Sequence, residues 1–336
     1  MYESFFGFRE RPFDLTPNPR FLVLTESHRE ALSNLEYAIA SRKGLTLLLG
    51  EAGSGKTTVI CSAIGKQPAR VHSVHLHNPT MSRAEFGEML AVRFGLSDHA
   101  RRSKTALLIE LEALLRSRRL HGEMSLLIVD EAQSLPLELL EEIRLLANIE
   151  TVDDKLLSVI LAGQPELACR LNDQELRQLK QRIALRCELR PLSLPETVTY
   201  LDGRIRAAGG VGTEVFTRDA IELIHARAHG IPRTVNVVAD NALLGGYAGG
   251  EKPVGSQTVR EVCRDFDLAD RHEETPRSPE PSVSARPWSP SPIGVPVRPS
   301  VNRKAPVAEA DRDRRPPQDM FGDFVMKRKR FSFFGN

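Results

Sequence analysis

Two patterns of apolar residues alternate along the first 190 positions. Short, nearly unbroken apolar runs at 45–49, 124–129 and 156–163 predict strands buried on both faces of a parallel sheet. Residues 70–77, RVHSVHLH, alternate polar and apolar positions and predict a further strand. Between these runs the spacing becomes helical. Residues 28–41 carry Leu32, Leu35 and Ile39 on one face, and 82–94, 105–119 (with Leu108, Leu111 and Leu115 together) and 137–149 follow. Strands alternating with helices predict an α/β layer structure around a parallel sheet. From Leu194 the pattern turns helical alone: 196–207, 217–229, 233–244 and 257–266 predict a small four-helix unit, with Thr217 as an N-cap and Gly230 as a stop.

Between the strand at 45–49 and its following helix stands GEAGSGKTT, residues 50–58. Gly50, four residues, Gly55, Lys56 and Thr57 is the spacing of a loop that wraps phosphate groups at a helix start. Gly53 and Gly55 free the backbone to turn its N–H groups inward on an anion, and Glu51, Ala52, Ser54 and Thr58 complete the cradle. Lys56 is placed to reach the β- and γ-phosphates and Thr57 to hold Mg²⁺ through its hydroxyl, so the expected ligand is ATP with Mg²⁺. A second block ends the strand at 124–129, where Asp130 and Glu131 emerge at the carboxyl edge that binds ligands in such sheets. Adjacent acids there are costly to desolvate unless a cation or a water uses them. Asp130 is read as the second Mg²⁺ group and Glu131 as the base that polarises an attacking water. Gln164 closes the strand at 156–163 and is read as a site residue between that edge and the phosphate loop, in preference to a helix cap. Arg177, Arg182 and Arg186 lie in ELRQLKQRIALRCEL, read as a helix; a guanidinium at its end suits a neighbouring subunit's γ-phosphate, and by position Arg182 is chosen. Arg233 follows Pro232 at a helix start, where a cation opposes the dipole and a purely structural role is disfavoured.

Composition narrows the setting. With 336 residues, 41% hydrophobic, the chain supports two domains and a tail. A net charge of +2 makes no strong claim on nucleic acid or membrane. Cys61, Cys169, Cys187 and Cys263 stand far apart, which argues against a zinc site or disulfide framework and for reduced thiols in a cytosolic compartment. His75 and His77 share a strand face without partners to complete a ligand set, and are read as polar strand positions. No apolar run approaches the roughly 18 residues of a membrane span, and the N-terminus lacks a signal-peptide core. Residues 1–28, aromatic-rich and interrupted by Pro12, Pro17 and Pro19, predict an extended arm across the core, covering the adenine side of the cleft. Residues 275–317 hold 11 of the 22 prolines and a lone Trp288, which predicts a disordered linker. Beyond it FGDFVMKRKRFSFFGN joins aromatics to four consecutive basic residues, a peptide suited to a partner or an anionic membrane surface. The expected units are therefore an arm at 1–28 packing on the core, a nucleotide-binding domain at 29–192, a helical lid at 193–270, a Pro-rich linker at 271–318 and a basic-aromatic peptide at 319–336.

The opening FFGFRERPFDLTPNPRFLVLTESHREAL, then GEAGSGKTT, LLIVDEAQSL, LAGQPEL, LKQRIALRCELRPL and HGIPRTVN occur in order over residues 1 to about 268. Together they resemble the ExeA-like (general secretion pathway protein A) family of AAA+ ATPases. The resemblance implies a P-loop NTPase αβα sandwich with a parallel sheet, then an all-α lid, and ATP hydrolysis coupled to conformational change in a homo-oligomer. It makes Lys56 and Thr57 the Walker A residues, Asp130 and Glu131 the Walker B pair, Gln164 the first sensor, Arg182 a finger and Arg233 the second sensor. Founding members of the family continue into a transmembrane helix and a periplasmic peptidoglycan-binding domain, whereas this chain continues into the Pro-rich tail. That departure turns the expected role away from direct work on the cell wall. What remains is assembly of a secretion, pilus or exopolysaccharide export system by a cytoplasmic protein, peripheral at the inner membrane through its tail. TniB-like and MuB-like transposition proteins share the core and supply the alternative, a nucleotide-controlled DNA adaptor. Basic clusters at 101–104 and 116–119 are interleaved with acids, which leaves DNA the less favoured partner.

Overall fold

A computed structural model describes residues 1–15, 19–21, 23–68, 70–76, 81–152 and 154–268. The expectations for His77, the linker at 271–318 and the peptide at 319–336 fall outside these residues. The strands are β1 (Leu45–Gly50), β2 (Val71–Leu76), β3 (Met124–Val129), β4 (Ser158–Gly163) and β5 (Ile183–Leu189). They form one parallel sheet in the order β2, β3, β4, β1, β5. Position in that order explains the sequence patterns. The three inner strands are buried along their whole length, and the two edge strands alternate.

Alternate residues of the inner strands feed two cores. Leu47, Leu49, Leu127, Val129, Val159 and Leu161 face one side, with Phe86 and Leu90 of α4 (Arg83–Phe94), Leu111 and Leu115 of α6 (Lys104–Leu120), and Leu139 and Ile143 of α7 (Leu137–Leu146). Leu48, Leu126, Ile128, Ile160 and Ala162 face the other, with Leu32, Leu35 and Ile39 of α2 (Glu26–Ala40) and Val59 and Ile60 of α3 (Lys56–Gly65). The result is the α/β layering the pattern predicted, in the αβα form that the resemblance implied. Three short helices complete this layer: α5 (Asp98–Arg102), α8 (Pro165–Arg170) and α9 (Arg177–Arg182). On α6 the buried row is Leu107, Leu111 and Leu115, and Leu108 is left 37% exposed.

The stretch read as one helix around the three arginines is instead a helix followed by a strand. Helix α9 ends at Arg182 and β5 begins at Ile183, pairing with β1 along its length. From Ile183 the inward residues recur every second position, with Cys187 and Leu189 buried and Arg186 and Glu188 outward, which is a strand period.

After β5 come the helices α10 (Leu194–Ala207), α11 (Arg218–Ala228), α12 (Pro232–Gly249) and α13 (Ser256–Asp265). Thr217 caps α11 by accepting from the Ala220 N–H at 3.3 Å. The N-terminal arm is not extended throughout and does not lie across the sheet layer. It starts as helix α1 (Tyr2–Phe6), closed by Gly7 in the left-handed region. Tyr2, Phe6, Phe8, Phe13 and Phe21 then pack among Tyr200, Ile205, Phe216, Val238 and Leu243 of the helical layer. Each buried aromatic contributes about 1.5–3 kcal/mol. Those side chains hold the arm, together with the Arg9 N–H, which donates to Ala208 O at 2.8 Å.

Candidate functional site

The sheet order sets the site. Strand β4 lies between β3 and β1, so the carboxyl ends carrying Asp130, Gln164 and Gly50 are neighbours. At the end of β1 the loop turns through Gly53 (φ +80°) and Gly55 (φ +95°), conformations that side chains resist. A Cβ on Gly53 would fall 2.4 Å from the Arg233 Cβ, so glycine is required by crowding as well as by conformation. Lys56, 6% exposed, donates from Nζ to the carbonyls of Gly50 (2.9 Å) and Glu51 (3.1 Å), which fixes its ammonium inside the loop. Ala52 continues the loop, and Ser54 Oγ is buried without a hydrogen-bond partner. Thr57 donates from Oγ1 to Asp130 Oδ2 at 3.0 Å, joining the start of α3 to the end of β3.

Glu131 adopts φ +52°, a left-handed conformation that costs a non-glycine residue about 1–2 kcal/mol. Hydrogen bonds hold it there. Its N–H donates to Asp130 Oδ1 at 3.0 Å, and its Oε2 accepts from Gln133 Nε2 (2.6 Å) and Gln164 Nε2 (3.1 Å). Gln133 Oε1 in turn accepts from the Gln164 N–H at 3.0 Å. Burial works to raise the Glu131 pKa. The two amide donors and the nearby Lys56 charge outweigh it and hold the carboxyl below its ordinary value, so it is ionised at neutral pH.

The helical layer closes the other side. Arg233, next to Pro232 at the start of α12, donates its backbone N–H to Gly53 O at 3.2 Å. Tyr200 of α10 donates to Asn236 Oδ1 at 3.0 Å and accepts from Arg204 Nη1 at 3.0 Å. Arg204, 8% exposed, also donates to the arm carbonyls of Pro12 (2.6 Å) and Asp14 (3.1 Å) and lies over the Phe21 ring. Arg204→Lys keeps the charge but loses the fork. It is expected to cost about 1–2 kcal/mol, read as a lower urea midpoint at unchanged slope.

These groups enclose a cleft of about 420 Å³, bounded by residues 53–58, Asp130, Glu131, His28 and the arm and helical residues just described. Leu15, Phe21 and Val23 of the arm form its apolar wall, and Asp14 lines it beside them. The volume suits a small-molecule ligand, about 300–1,000 Å³ being usual. Polyphosphate and a divalent cation fit the donor set: a buried hydroxyl awaiting a partner on Ser54, a fixed ammonium on Lys56, and the oxygens of Thr57 and Asp130. Among the described residues there is no group of three or more His, Cys, Asp and Glu placed to hold a metal ion.

Of the predicted residues, 53–58, Asp130, Glu131 and Arg233 line the cleft, while Gln164 joins them through Glu131 and the carbonyls of Gly50 and Glu51 through Lys56. Arg182 is exposed at the end of α9 and does not line this chain's cleft. The sequence reading gave no role to Gln133, His28, Tyr200, Arg204 or Asn236. For Gln133 a signal existed, an amide two positions after the acid in DEAQ. The others depend on contacts between distant segments.

Residues 39–171 match the family of AAA domains. General secretion pathway protein A of Aeromonas hydrophila is 39% identical over 258 residues, 76% of this chain and 46% of that protein. Mu-like prophage FluMu DNA transposition protein B of Haemophilus influenzae is 31% identical over 157 residues, 46% of this chain and 48% of that one. The chain spans about half the length of the curated relatives it matches. Among solved structures the Aeropyrum pernix ORC2 protein, in ADPNP-ADP complexes, superposes with a TM-score of 0.59 at 20% identity, over 78% of this chain and 72% of that one. At that identity the likeness is one of fold.

Proposed function

This chain belongs to the AAA domain family and is similar to general secretion pathway protein A, and on that premise we propose that it hydrolyses Mg²⁺-ATP to drive assembly or remodelling of a bacterial secretion, pilus or exopolysaccharide export system. The observation that carries the chemistry is the convergence of the glycine loop, Lys56, Thr57–Asp130 and Glu131 on one cleft, with Gln133 and Gln164 holding Glu131 from behind. Thr57 and Asp130 would hold Mg²⁺, which supplies positive charge to the phosphates when bound. Lys56 adds a fixed cation, and Arg233 a second one at the edge of the same cleft. Glu131, ionised and aimed by two amides, takes the proton of the attacking water as its oxygen bonds to the γ-phosphorus and the bond to the ADP oxygen breaks. Gln164 senses that phosphate through the carboxylate it already touches. The apolar wall of the arm receives the adenine base.

Arg182, exposed at a helix end, is suited to the γ-phosphate of an adjacent copy, so the working form is a homo-oligomer with shared sites. No helix among the described residues is long and apolar enough to cross a membrane. The proposed location is cytoplasmic, peripheral at the inner membrane through residues 319–336.

A nucleotide-controlled DNA adaptor is the second reading, favoured by the similarity to a DNA transposition protein. Local pairing weighs against it. Arg101 pairs with Asp98, Lys104 with Glu142, Arg116 with Glu112 and Arg119 with Asp154, so much of the basic charge is compensated within the fold. ATP turnover measured against protein concentration, with and without duplex DNA and with Glu131→Gln as the blank, separates the two. A rate per subunit that climbs with concentration and ignores DNA is expected. Stimulation by DNA would transfer the protein to the adaptor class.

A further inference from the structure

One buried side chain touches the phosphate loop and has no part in the proposed reaction. His28, in the first turn of α2, is 5% exposed. Its Nε2 lies 2.9 Å from the Ser54 carbonyl oxygen and its Nδ1 lies 2.6 Å from Thr25 Oγ1. A carbonyl oxygen only accepts, so Nε2 bears the proton and Nδ1 is the bare nitrogen that accepts from the Thr25 hydroxyl. Burial pushes the imidazole pKa down, against smaller opposing effects of the Ser54 bond and Glu196, so the ring stays neutral at neutral pH.

The peptide that His28 grips is one that would otherwise turn easily. It joins Ser54 to Gly55, and a glycine at φ +95° lets the whole peptide plane reverse at little cost. In a trans peptide the C=O and N–H point in opposite directions. Holding Ser54 O against His28 therefore holds the Gly55 N–H on the far side of the plane. The grip is close, because a Cβ added to Gly55 would sit only 3.4 Å from Nε2.

We propose that His28 is a positioning residue for the phosphate loop: its Nε2–H selects the orientation of the Ser54–Gly55 peptide in which the Gly55 N–H serves as a donor to the polyphosphate of a nucleoside triphosphate. The inference rests on the nucleotide-binding reading and concerns the backbone, which no substitution of a loop side chain would test.

Glutamine and asparagine separate the two ring nitrogens. A glutamine amide reaches about as far as Nε2 and keeps the donor to Ser54 O; an asparagine amide reaches only to Nδ1 and loses it. Titration of the full-length protein with a fluorescent ATP analogue, competed by unlabelled ATP, is the measurement, with thermal melting of the nucleotide-free protein alongside. His28→Gln is expected to bind within about threefold of wild type. His28→Asn is expected to bind about tenfold more weakly, equivalent to about 1.4 kcal/mol, at a melting temperature close to that of His28→Gln. Thr25→Val, nearly isosteric, removes the hydroxyl that holds Nδ1 and so orients the ring on the Ser54 carbonyl, and is expected to weaken binding about threefold even if both His28 variants fold poorly. Wild-type affinity in His28→Asn or in Thr25→Val, or losses that merely track melting, would overturn the inference. A wild-type protein that does not bind the analogue would remove the nucleotide reading and the inference with it.

Discussion

Glutamine in place of Glu131 is expected to leave ATP binding close to wild type and to slow hydrolysis by about two to four orders of magnitude, the range for losing a positioned proton acceptor. The side chain keeps its size, and an amide oxygen can still accept from Gln133 and Gln164, which now hold Glu131 Oε2. Binding is supplied elsewhere, by the loop, Lys56 and Arg233. What the variant lacks is a group able to take the water's proton. The effect should therefore fall on kcat, with the dissociation constant of an ATP analogue unchanged. A companion pH profile follows from the lowered Glu131 pKa. The base form is present above that pKa, so turnover should be flat through neutrality and decline only as pH falls through and below the ordinary carboxylate range. Wild-type turnover in the variant would move water activation to another group.

Much of the site was legible because its signals are local. GEAGSGKTT states its loop in nine consecutive residues, and the run at 124–129 places Asp130 and Glu131 at a sheet edge without knowledge of any neighbour. Gln164 followed from the same logic, since β4 had to end beside both. The failures share a different cause. Strand β5 is an edge strand that starts directly after the last residue of α9, with no glycine or proline between them, and its outward residues are charged. The alternation of Ile183, Leu185, Cys187 and Leu189 marks the switch of period, but no turn residue separates it from the helix before it. The helical start of the arm and its seat on the helical layer were not legible because their partners lie about 190 to 240 residues away: Arg204 holds Pro12 and Asp14, and Tyr2 hydrogen-bonds Asp240. His28 resembles any polar residue of a helix's first turn until Ser54 is brought against it.

Alanine in place of Gly230 is expected to be the most destabilising change in the helical layer, at about 2–5 kcal/mol, and to weaken nucleotide binding as well. Gly230 (φ +69°) follows His229 (φ +50°), so the chain takes two left-handed steps between α11 and α12. Any L side chain there costs about 1–2 kcal/mol in conformation alone. The larger cost is steric. A Cβ at Gly230 would lie 2.1 Å from Leu192 O, 2.9 Å from Leu192 N and 3.0 Å from Leu192 C, all backbone atoms that no rotamer change can move. The Leu192 N–H also donates to Gly230 O at 2.8 Å, which locks the segment after β5 onto this turn. Relief requires one of the two segments to shift, at about 1–3 kcal/mol for an overpacked site. Arg233 stands three residues further on and bonds Gly53 O through its backbone, so the shift is transmitted to the phosphate loop. Gly249→Ala provides the comparison, because a Cβ there meets nothing within 4 Å. At the end of α12 it should be neutral or stabilising by up to about 1 kcal/mol. Urea unfolding of both variants, with the ATP analogue titrated into each, checks the pair. Equal stabilities would mean that the approach of Leu192 to Gly230 is not a constraint on the fold.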